Sequence, residues 1–127
     1  MAVSDAYRDF VLEQLAAAGQ VTPRAMFGGV GLYLDGLFFA LIDDDTLYFK
    51  ADDSTRVRYE RSESKPFCPF PERPEQTMAY WQVPAEVLDD PDELATWARE
   101  ALGVALAKRA RRPSRRRAPA ARQGARR

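Results

Sequence analysis

The sequence predicts an α+β fold, in which an antiparallel sheet made of a three-stranded meander plus a fourth strand is packed with N- and C-terminal helices. Apolar residues recur at helical spacing near the start of the chain and again after position 90. Between these stretches, short runs rich in β-branched and aromatic residues are separated by turn sequences, which is typical of a meander. A length of 127 residues suits one domain, and we place that domain at residues 1–110.

A first helix is predicted over residues 4–18. Ser4 can cap its N-terminus, and Asp5 lies in the first turn, where a negative charge interacts favourably with the helix dipole. Gly19 is a natural residue just beyond a helix end, and Thr22-Pro23 favours an extended exit. The apolar face of this helix consists of Tyr7, Phe10, Val11, Leu15 and Ala18.

Residues 24–51 are predicted to form the meander. Asp35-Gly36 separates two apolar runs and is typical of a two-residue type I′ hairpin turn. Both faces of the central strand are apolar, so we expect the sheet to be covered on both sides, by helices or by a partner subunit. The turn predicts these cross-strand pairs: Leu34 with Leu37, Leu32 with Phe39 and Val30 with Leu41 on one face, and Tyr33 with Phe38 on the other.

The rest of the domain is predicted to hold a short helix at about residues 54–62, a proline-rich loop at 64–76, a fourth strand at 76–83 and a last helix. Asp90 can cap the last helix, Pro91 suits its first position, and Glu93 completes a capping box. The helix has the clearest apolar stripe in the chain: Leu94, Trp97, Ala98, Ala101, Leu102, Ala105 and Leu106.

The formal net charge of zero hides a division of the chain into an acidic and a basic part. Residues 1–107 hold all 19 acidic side chains and nine basic ones, a net charge of −10, whereas residues 108–127 hold ten basic side chains and no acid. Residues 111–127 lack an apolar pattern and are predicted to be a disordered, arginine-rich tail.

The density of positive charge in the tail is typical of an arm that contacts nucleic acid or an acidic partner. The alternative is a solubilising extension that folds back on the acidic body, and the charge pattern does not separate the two. The candidate nucleic-acid contacts are Lys108, Arg109, Arg111, Arg112, Arg115, Arg116, Arg117, Arg122, Arg126 and Arg127.

The sequence favours the cytoplasm. No stretch approaches the roughly 18–20 continuous apolar residues of a membrane span, and the start lacks the pattern of a secretory signal. The single cysteine, Cys68, cannot form an internal disulfide, which suits a reducing compartment. Cys68 also has no evident base nearby, so a structural thiol is favoured over a nucleophile.

The chain contains no histidine, which excludes Ser-His-Asp and Cys-His catalysis and imidazole metal ligation. The glycine-rich stretch at 28–31 lacks the Lys and Ser/Thr of a phosphate-binding loop, so it predicts a bend or bulge where a strand starts. We therefore assign no catalytic, cofactor-binding or metal-binding residue and expect no cofactor.

Two alternatives stay open on the residues alone. The acidic turns Asp43-Asp44-Asp45 and Asp52-Asp53 suit turn and cap positions, but a small enzyme or metal-binding protein could use them if they converged on one point. Six aromatic residues could form either a core or a base-stacking platform, and the body's negative charge favours the core. They are Phe38, Phe39, Tyr48, Phe49, Tyr80 and Trp81.

From Arg24 to about Ala105 the sequence resembles the N-terminal domain of the TfoX/Sxy family. The resemblance is carried by Arg24-Ala-Met-Phe-Gly-Gly29, Gly31-Leu-Tyr-Leu-Asp-Gly36, Phe39-Ala-Leu-Ile-Asp-Asp44, Leu47-Tyr-Phe-Lys50, Pro66-Phe67, Met78-Ala-Tyr-Trp81, Pro84, Asp90-Pro91 and Trp97-Ala98, in this order and spacing.

This resemblance implies a secretion-chaperone-like α+β fold and a part in regulating DNA-uptake competence genes in bacteria, without an enzyme activity. The second, helical domain of the best-known members has no counterpart here, and the basic tail stands in its place. We therefore expect a non-catalytic regulatory or interaction module that binds a protein partner or a second copy of itself, with non-specific contact to nucleic acid through the tail.

Overall fold

The computed structural model describes residues 3–26, 28–69 and 79–110, without the side chains of the last two. Its elements follow the predicted α+β order. They are α1 (Asp5–Gln14), which continues into a 3-10 turn (Leu15–Ala18), β1 (Thr22–Met26), β2 (Gly29–Leu34), β3 (Leu37–Asp43), β4 (Thr46–Lys50), α2 (Arg56–Arg61), β5 (Tyr80–Gln82), α3 (Ala85–Leu88) and α4 (Pro91–Ala110).

The five strands form one antiparallel sheet in the order β1-β2-β3-β4-β5. The predicted three-stranded meander thus has a further strand, β1, that begins two residues before the predicted start. Pro23 lies within it, opposite Leu32. A proline cannot donate a hydrogen bond to a ladder, but at the edge of a sheet its missing donor can face solvent.

The β2–β3 hairpin contains a bulge that the sequence did not predict. Asp35 and Gly36 have the positive φ values of 53° and 76° that a type I′ turn requires, and the pairs Leu34–Leu37 and Tyr33–Phe38 are confirmed. The predicted pairs Leu32–Phe39 and Val30–Leu41 are wrong, because the register shifts after Tyr33 so that Leu32 faces Ala40 and Val30 faces Ile42. Phe39 is the extra residue, and both Phe39 and Ala40 are fully buried.

The helix ends follow the predicted caps with one exception. The Ser4 hydroxyl oxygen accepts a hydrogen bond from the Tyr7 amide at 3.1 Å, and an Asp90 carboxylate oxygen accepts from the amides of Asp92 and Glu93 at 3.2 and 3.3 Å. Glu93 does not complete the predicted capping box. Its carboxylate instead accepts a hydrogen bond from the Trp97 indole at 3.0 Å.

The region between β4 and α4 agrees with the prediction in part. The short helix α2 falls within the predicted range, β5 is shorter than the predicted strand at 76–83, and α3 was not predicted. The described end of the proline-rich loop is not irregular throughout: the Phe67 amide donates to the Tyr80 carbonyl at 2.7 Å and the Gln82 amide donates to the Lys65 carbonyl at 3.0 Å. Positions 70–78 lie outside the described residues.

The main core lies between one face of the sheet and the helices. Leu32, Phe39 and Phe49 from the sheet join Leu94 and Trp97 of α4 in one buried cluster. Trp97 is held on three sides: its indole binds Glu93, the Tyr59 ring meets it edge-on at 5.0 Å, and the Arg58 guanidinium lies over it at 4.8 Å. In the described part of the chain, no helix is both long and apolar enough to cross a membrane.

Candidate interaction surface on the second face of the sheet

The strand register divides the side chains of the sheet between two faces. Along β4, Leu47 and Phe49 are buried in the core, while Thr46, Tyr48 and Lys50 point the other way and are half-buried. The same alternation runs through the neighbouring strands. We call the second face the aromatic face and define it by Arg24, Tyr33, Phe38, Tyr48, Lys50 and Tyr80.

Aromatic rings and cations form a row across this face. Tyr33 of β2 stacks on Phe38 of β3 with ring centroids 5.3 Å apart, and Phe38 contacts Tyr80 of β5 at 5.5 Å. The Arg24 guanidinium lies 5.6 Å from the Tyr33 ring centroid at one end, and the Lys50 ammonium lies 4.8 Å from that of Tyr80 at the other. A cation over a ring face is attracted by the ring quadrupole, so the row has a cation at each end.

Burial across the row is graded. Tyr80 is 4% exposed, Tyr33 and Phe38 are half-buried, and Arg24 is exposed. Burial raises the pKa of the Tyr80 hydroxyl to about 12, with a smaller contribution from Tyr33. Partial burial, followed by the nearby positive charge of Lys108, lowers the pKa of Lys50. The row is therefore dry at the Tyr80 end and open to solvent at the Arg24 end.

Two glycines of β2 explain why the strand can pack closely on both sides. A Cβ at Gly31 would lie 2.6 Å from the Met26 terminal methyl and 3.1 Å from the Phe38 ring, so this glycine makes room for side chains on the aromatic face. A Cβ at Gly29 would lie 2.5 Å from the Ile42 carbonyl oxygen. The glycine-rich stretch was predicted to form a bend or bulge where a strand starts: Gly28 has a positive φ of 81° directly before β2, and the stretch enters a strand rather than a helix N-terminus.

The aromatic face continues past β5. Phe67 meets the Tyr48 ring edge-on at 5.0 Å, and the bridge between Pro66 and Trp81 aligns Lys65 with Gln82. Cys68 follows and is half-buried. This short segment adds a sixth row of backbone to the edge of the sheet.

Charge is unevenly distributed between this face and the rest of the body. The strand register places the cations Arg24 and Lys50 on the aromatic face and Lys65 beside it, whereas Asp43 is the one acid that the register places there among the described residues. The other described acids lie on helices, turns and loops. Acids still lie close to the face: burial, and then the charges of Asp43 and Asp44, raises the pKa of Tyr48, and Asp52 and Asp53 border the same groove as Lys50.

The acidic turns that could have formed a metal site do not converge. They lie at opposite ends of β4, and each turn contains an aspartate that accepts structural hydrogen bonds. Asp45 accepts hydrogen bonds from the Ser4 amide at 2.8 Å and the Ser4 hydroxyl at 3.1 Å. Asp52 accepts from Ser54 and Thr55, and the Thr55 amide, then the Ser54 hydroxyl, lower its pKa. Within the described ranges, no three acidic or thiol side chains are grouped as metal ligands would be.

Of the predicted nucleic-acid contacts, the structure describes the side chain of Lys108 alone. It is exposed in the last turns of α4 and borders an open groove with Lys50, Asp52 and Val104. The side chain of Arg109 and all of residues 111–127, including the predicted disordered tail, lie outside the described residues.

The sequence-based list of aromatic candidates mixed the two faces. Phe39, Phe49 and Trp81 belong to the helix-covered side, while Phe38, Tyr48 and Tyr80 belong to the aromatic face. Arg24 and Lys50 were not among the candidate site residues. The period-two alternation of β4 could have found Lys50 beside Tyr48, but the bulge at Phe39 breaks that alternation in β3.

Comparison with known families identifies the domain. The model of the TfoX N-terminal domain matches residues 13–105, which is most of the chain. The chain belongs to the TfoX N-terminal domain family. This match confirms the resemblance drawn from the sequence motifs, and the family is of a regulatory, non-enzymatic type. A comparison with curated proteins found no match to the chain.

Proposed function

We propose that this chain is a non-catalytic, cytoplasmic regulatory module of the kind that controls DNA-uptake competence genes in bacteria. It acts by binding a protein partner or a second copy of itself, and its basic tail adds sequence-independent contact with nucleic acid. The observation that carries the proposal is the family match over residues 13–105, which includes all five strands and most of α4.

The described end of α4, which precedes the tail, lies in a groove of mixed charge. Lys108 lies close to Lys50 and Asp52, at the end of β4 that is opposite the aspartate turn at 43–45. The groove at the described end of α4 is thus lined by two lysines and two aspartates, so local charge there does not separate an external polyanion from an intramolecular contact. Asp52 and Asp53 near the start of the tail offer the competing intramolecular contact.

The acidic turns favour no second function. An enzyme or metal-binding protein built on them would need their carboxylates to meet, and β4 separates them instead.

Binding by the tail is tested with fluorescence anisotropy on duplex DNA across a salt series. If six of the tail cations engage phosphates, the affinity should fall on the order of a thousandfold between 50 and 200 mM salt. Replacing the nine arginines of residues 108–127 by glutamine should abolish this binding, whereas the surface variant Arg56→Gln, Arg61→Gln should retain it. Absence of binding at 50 mM salt by both the full chain and the isolated tail peptide would show that the partner of the tail is not a nucleic acid.

The proposed regulatory function, binding through the body and control of competence, is tested separately. Affinity capture from native lysate, with and without nuclease, compares the full chain with the tail-neutralised variant. A protein that is retained after nuclease treatment by both chains supports binding through the body. In the source bacterium, deletion of the gene should lower transformation frequency, and an unchanged frequency would remove competence control from the proposal while leaving the binding results in place.

A further inference from the structure

We propose that Lys50 is an acylation site, at which the ε-amine takes the acyl group of a small acyl phosphate bound in the groove between β4 and the end of α4. This reaction is separate from the proposed function and does not depend on it. It needs an amine that is held in place, that loses its proton easily and that an anionic donor can reach. The surroundings of Lys50 meet each of these needs.

The position of the Lys50 side chain is defined. Lys50 is the last residue of β4, its side chain is half-buried, and its ammonium lies 4.8 Å from the centroid of the Tyr80 ring. Tyr80 is 4% exposed and packs against Phe38, so the ring beneath the ammonium is itself fixed by the sheet. The amine therefore stays at one place on the wall of the groove.

The groove can admit a small donor. It is open to solvent and has a volume of about 240 Å³, and its uncharged lining consists of Ala51, Ala79 and Val104. Ala51 and Val104 are 3% and 8% exposed, so this part of the lining belongs to the packed body. Because the three side chains are small, they leave the Lys50 amine accessible from the groove.

Burial and a second cation oppose the positive charge of Lys50. Partial burial, followed by the positive charge of Lys108, lowers the pKa of Lys50. Desolvation and a neighbouring cation are two conditions that make a lysine nucleophilic in proteins, since each favours the neutral amine. The Tyr80 ring favours the ammonium, and it keeps the side chain over the ring until the proton leaves.

The two aspartates that border the groove are engaged with their own loop and with α2. A carboxylate oxygen of Asp52 accepts hydrogen bonds from the Ser54 amide, the Ser54 hydroxyl and the Thr55 amide at 3.0, 2.8 and 2.9 Å. Asp53 pairs with Arg56 at 3.4 Å. Within the described residues, no ion pair joins either lysine of the groove to an acid. Neither aspartate therefore holds the Lys50 amine in its charged form by direct contact.

Lys108 decides which class of donor the groove favours. Its side chain is exposed and lines the same groove as Lys50. A lysine ammonium attracts a phosphate group as a point charge, so Lys108 can hold the phosphate of an acyl phosphate close to the Lys50 amine. An uncharged acyl thioester gains nothing from this attraction. The groove therefore favours the acyl phosphate.

The reaction is an acyl transfer that needs no further reactant. The neutral Lys50 nitrogen attacks the carbonyl carbon of the acyl phosphate, and a C–N bond forms. The bond from that carbon to the bridging oxygen breaks, and inorganic phosphate leaves with the electron pair. The proton of the attacking nitrogen passes to phosphate or water. The product is an uncharged amide, so the modification removes one positive charge from the groove.

The experiment uses the fact that the chain has three lysines, Lys50, Lys65 and Lys108. The full chain is incubated with acetyl phosphate at pH 8, and mass spectrometry measures the rate of acetylation at each lysine. Lys50 should react at least about threefold faster than Lys65, because more of its amine is neutral. This advantage should shrink as the pH approaches the ordinary lysine pKa of about 10.4, and it should disappear in denaturant.

Variants and a second donor locate the phosphate. Lys108→Gln should slow the acetylation of Lys50 by acetyl phosphate at least about twofold, and it should slow acetylation by an uncharged acetyl thioester less, since the thioester has no phosphate to lose. The matched control Lys65→Gln should leave both rates at Lys50 unchanged. Lys108 is exposed, so its replacement should keep the fold, which the unfolding midpoint of each variant checks.

Three results would overturn the proposal, and none of them touches the proposed function. Lys50 could react no faster than Lys65 in the folded chain. Its advantage could persist in denaturant, which would make it an effect of the local sequence and not of the groove. Lys108→Gln could slow both donors equally or neither, which would leave the phosphate without a site. Preference for Lys50 in the folded chain, together with a larger loss for acetyl phosphate in Lys108→Gln, establishes the site.

Discussion

The two faces of this sheet are both rich in apolar residues, but their side chains lie in different environments. On the core face, Phe39, Ile42 and Phe49 are fully buried beneath the helices. On the aromatic face, Tyr33, Phe38 and Tyr48 remain half-buried, with a cation at each end of the ring row. An apolar pattern on both sides of a strand therefore does not establish that both sides are covered in the same way.

The chemistry of the side chains accounts for the difference. Apart from Trp81, the core face uses aliphatic residues and phenylalanine, which have no polar atom to hydrate. Besides Phe38, the aromatic face uses tyrosine, lysine and arginine, whose apolar parts can pack while their polar ends reach water. Such a face can be stable while it is partly exposed to solvent, and its polar groups stay accessible.

The largest expected effect on stability compares substitutions of two adjacent phenylalanines, one on each face. Phe39→Ala should cost about 3–5 kcal/mol, because it removes a fully buried ring from the core. Phe38→Ala should cost less than about 2 kcal/mol, since its half-buried ring loses only part of the free energy of burial. Denaturant unfolding of the two variants and the wild type measures both losses. Equal losses would show that the aromatic face is covered as completely as the core.

The sequence predicted those parts of the fold that depend on local signals. The cap at Ser4, the Asp35-Gly36 turn and the cap at Asp90 each act within a few residues, and each is confirmed. The strand β1 was partly missed because Pro23 argues against a strand interior, and only its place at the edge of the sheet permits it.

The faces could not be assigned from the sequence because they depend on a count along β3. One extra residue at Phe39 exchanges the two faces for everything beyond it, so a count from the hairpin turn places Leu41 on the wrong side. The residues of the aromatic face were also not grouped from the sequence, since Arg24, Tyr33 and Phe38 come together only across three strands.

The two glycines of β2 give the second test. Gly29→Ala should cost about 1–3 kcal/mol, because its Cβ would meet the Ile42 carbonyl oxygen, and backbone cannot easily move aside. Gly31→Ala should cost clearly less, because its nearest neighbour is the flexible end of Met26 on the aromatic face. Thermal or denaturant unfolding of both variants checks the order.

Gly103 of α4 is the matched control for the glycine series. Nothing lies within 4 Å of a Cβ there, so Gly103→Ala should stabilise the protein by about 0.5–1 kcal/mol through its helix propensity. If Gly31→Ala were as damaging as Gly29→Ala, the aromatic face would be as tightly packed as the backbone contact at Ile42, and the contrast between the two faces would weaken.

A small expected effect concerns pH and the two most buried tyrosines, one from each side of the sheet. Burial raises the pKa of Tyr59, which packs in the core, and raises the pKa of Tyr80 on the aromatic face to about 12. In the unfolded chain both should ionise near 10. Since the folded pKa values are the higher ones, each tyrosine stabilises the fold fully below pH 10 and loses that contribution as pH rises towards the folded value.

By pH 11 the contribution of each tyrosine to the free energy of unfolding should have fallen by about 1 kcal/mol. In the variants Tyr59→Phe and Tyr80→Phe the free energy of unfolding should therefore decrease less at alkaline pH, by about that amount in each. Denaturant unfolding at pH 8, 10 and 11 measures the slopes, with Tyr33→Phe as the control from the more exposed part of the ring row. If Tyr59→Phe flattened the fall and Tyr80→Phe did not, water would reach the Tyr80 hydroxyl freely. The aromatic face would then be wet along its whole length, and the ring row would lack the buried end against which Phe38 packs.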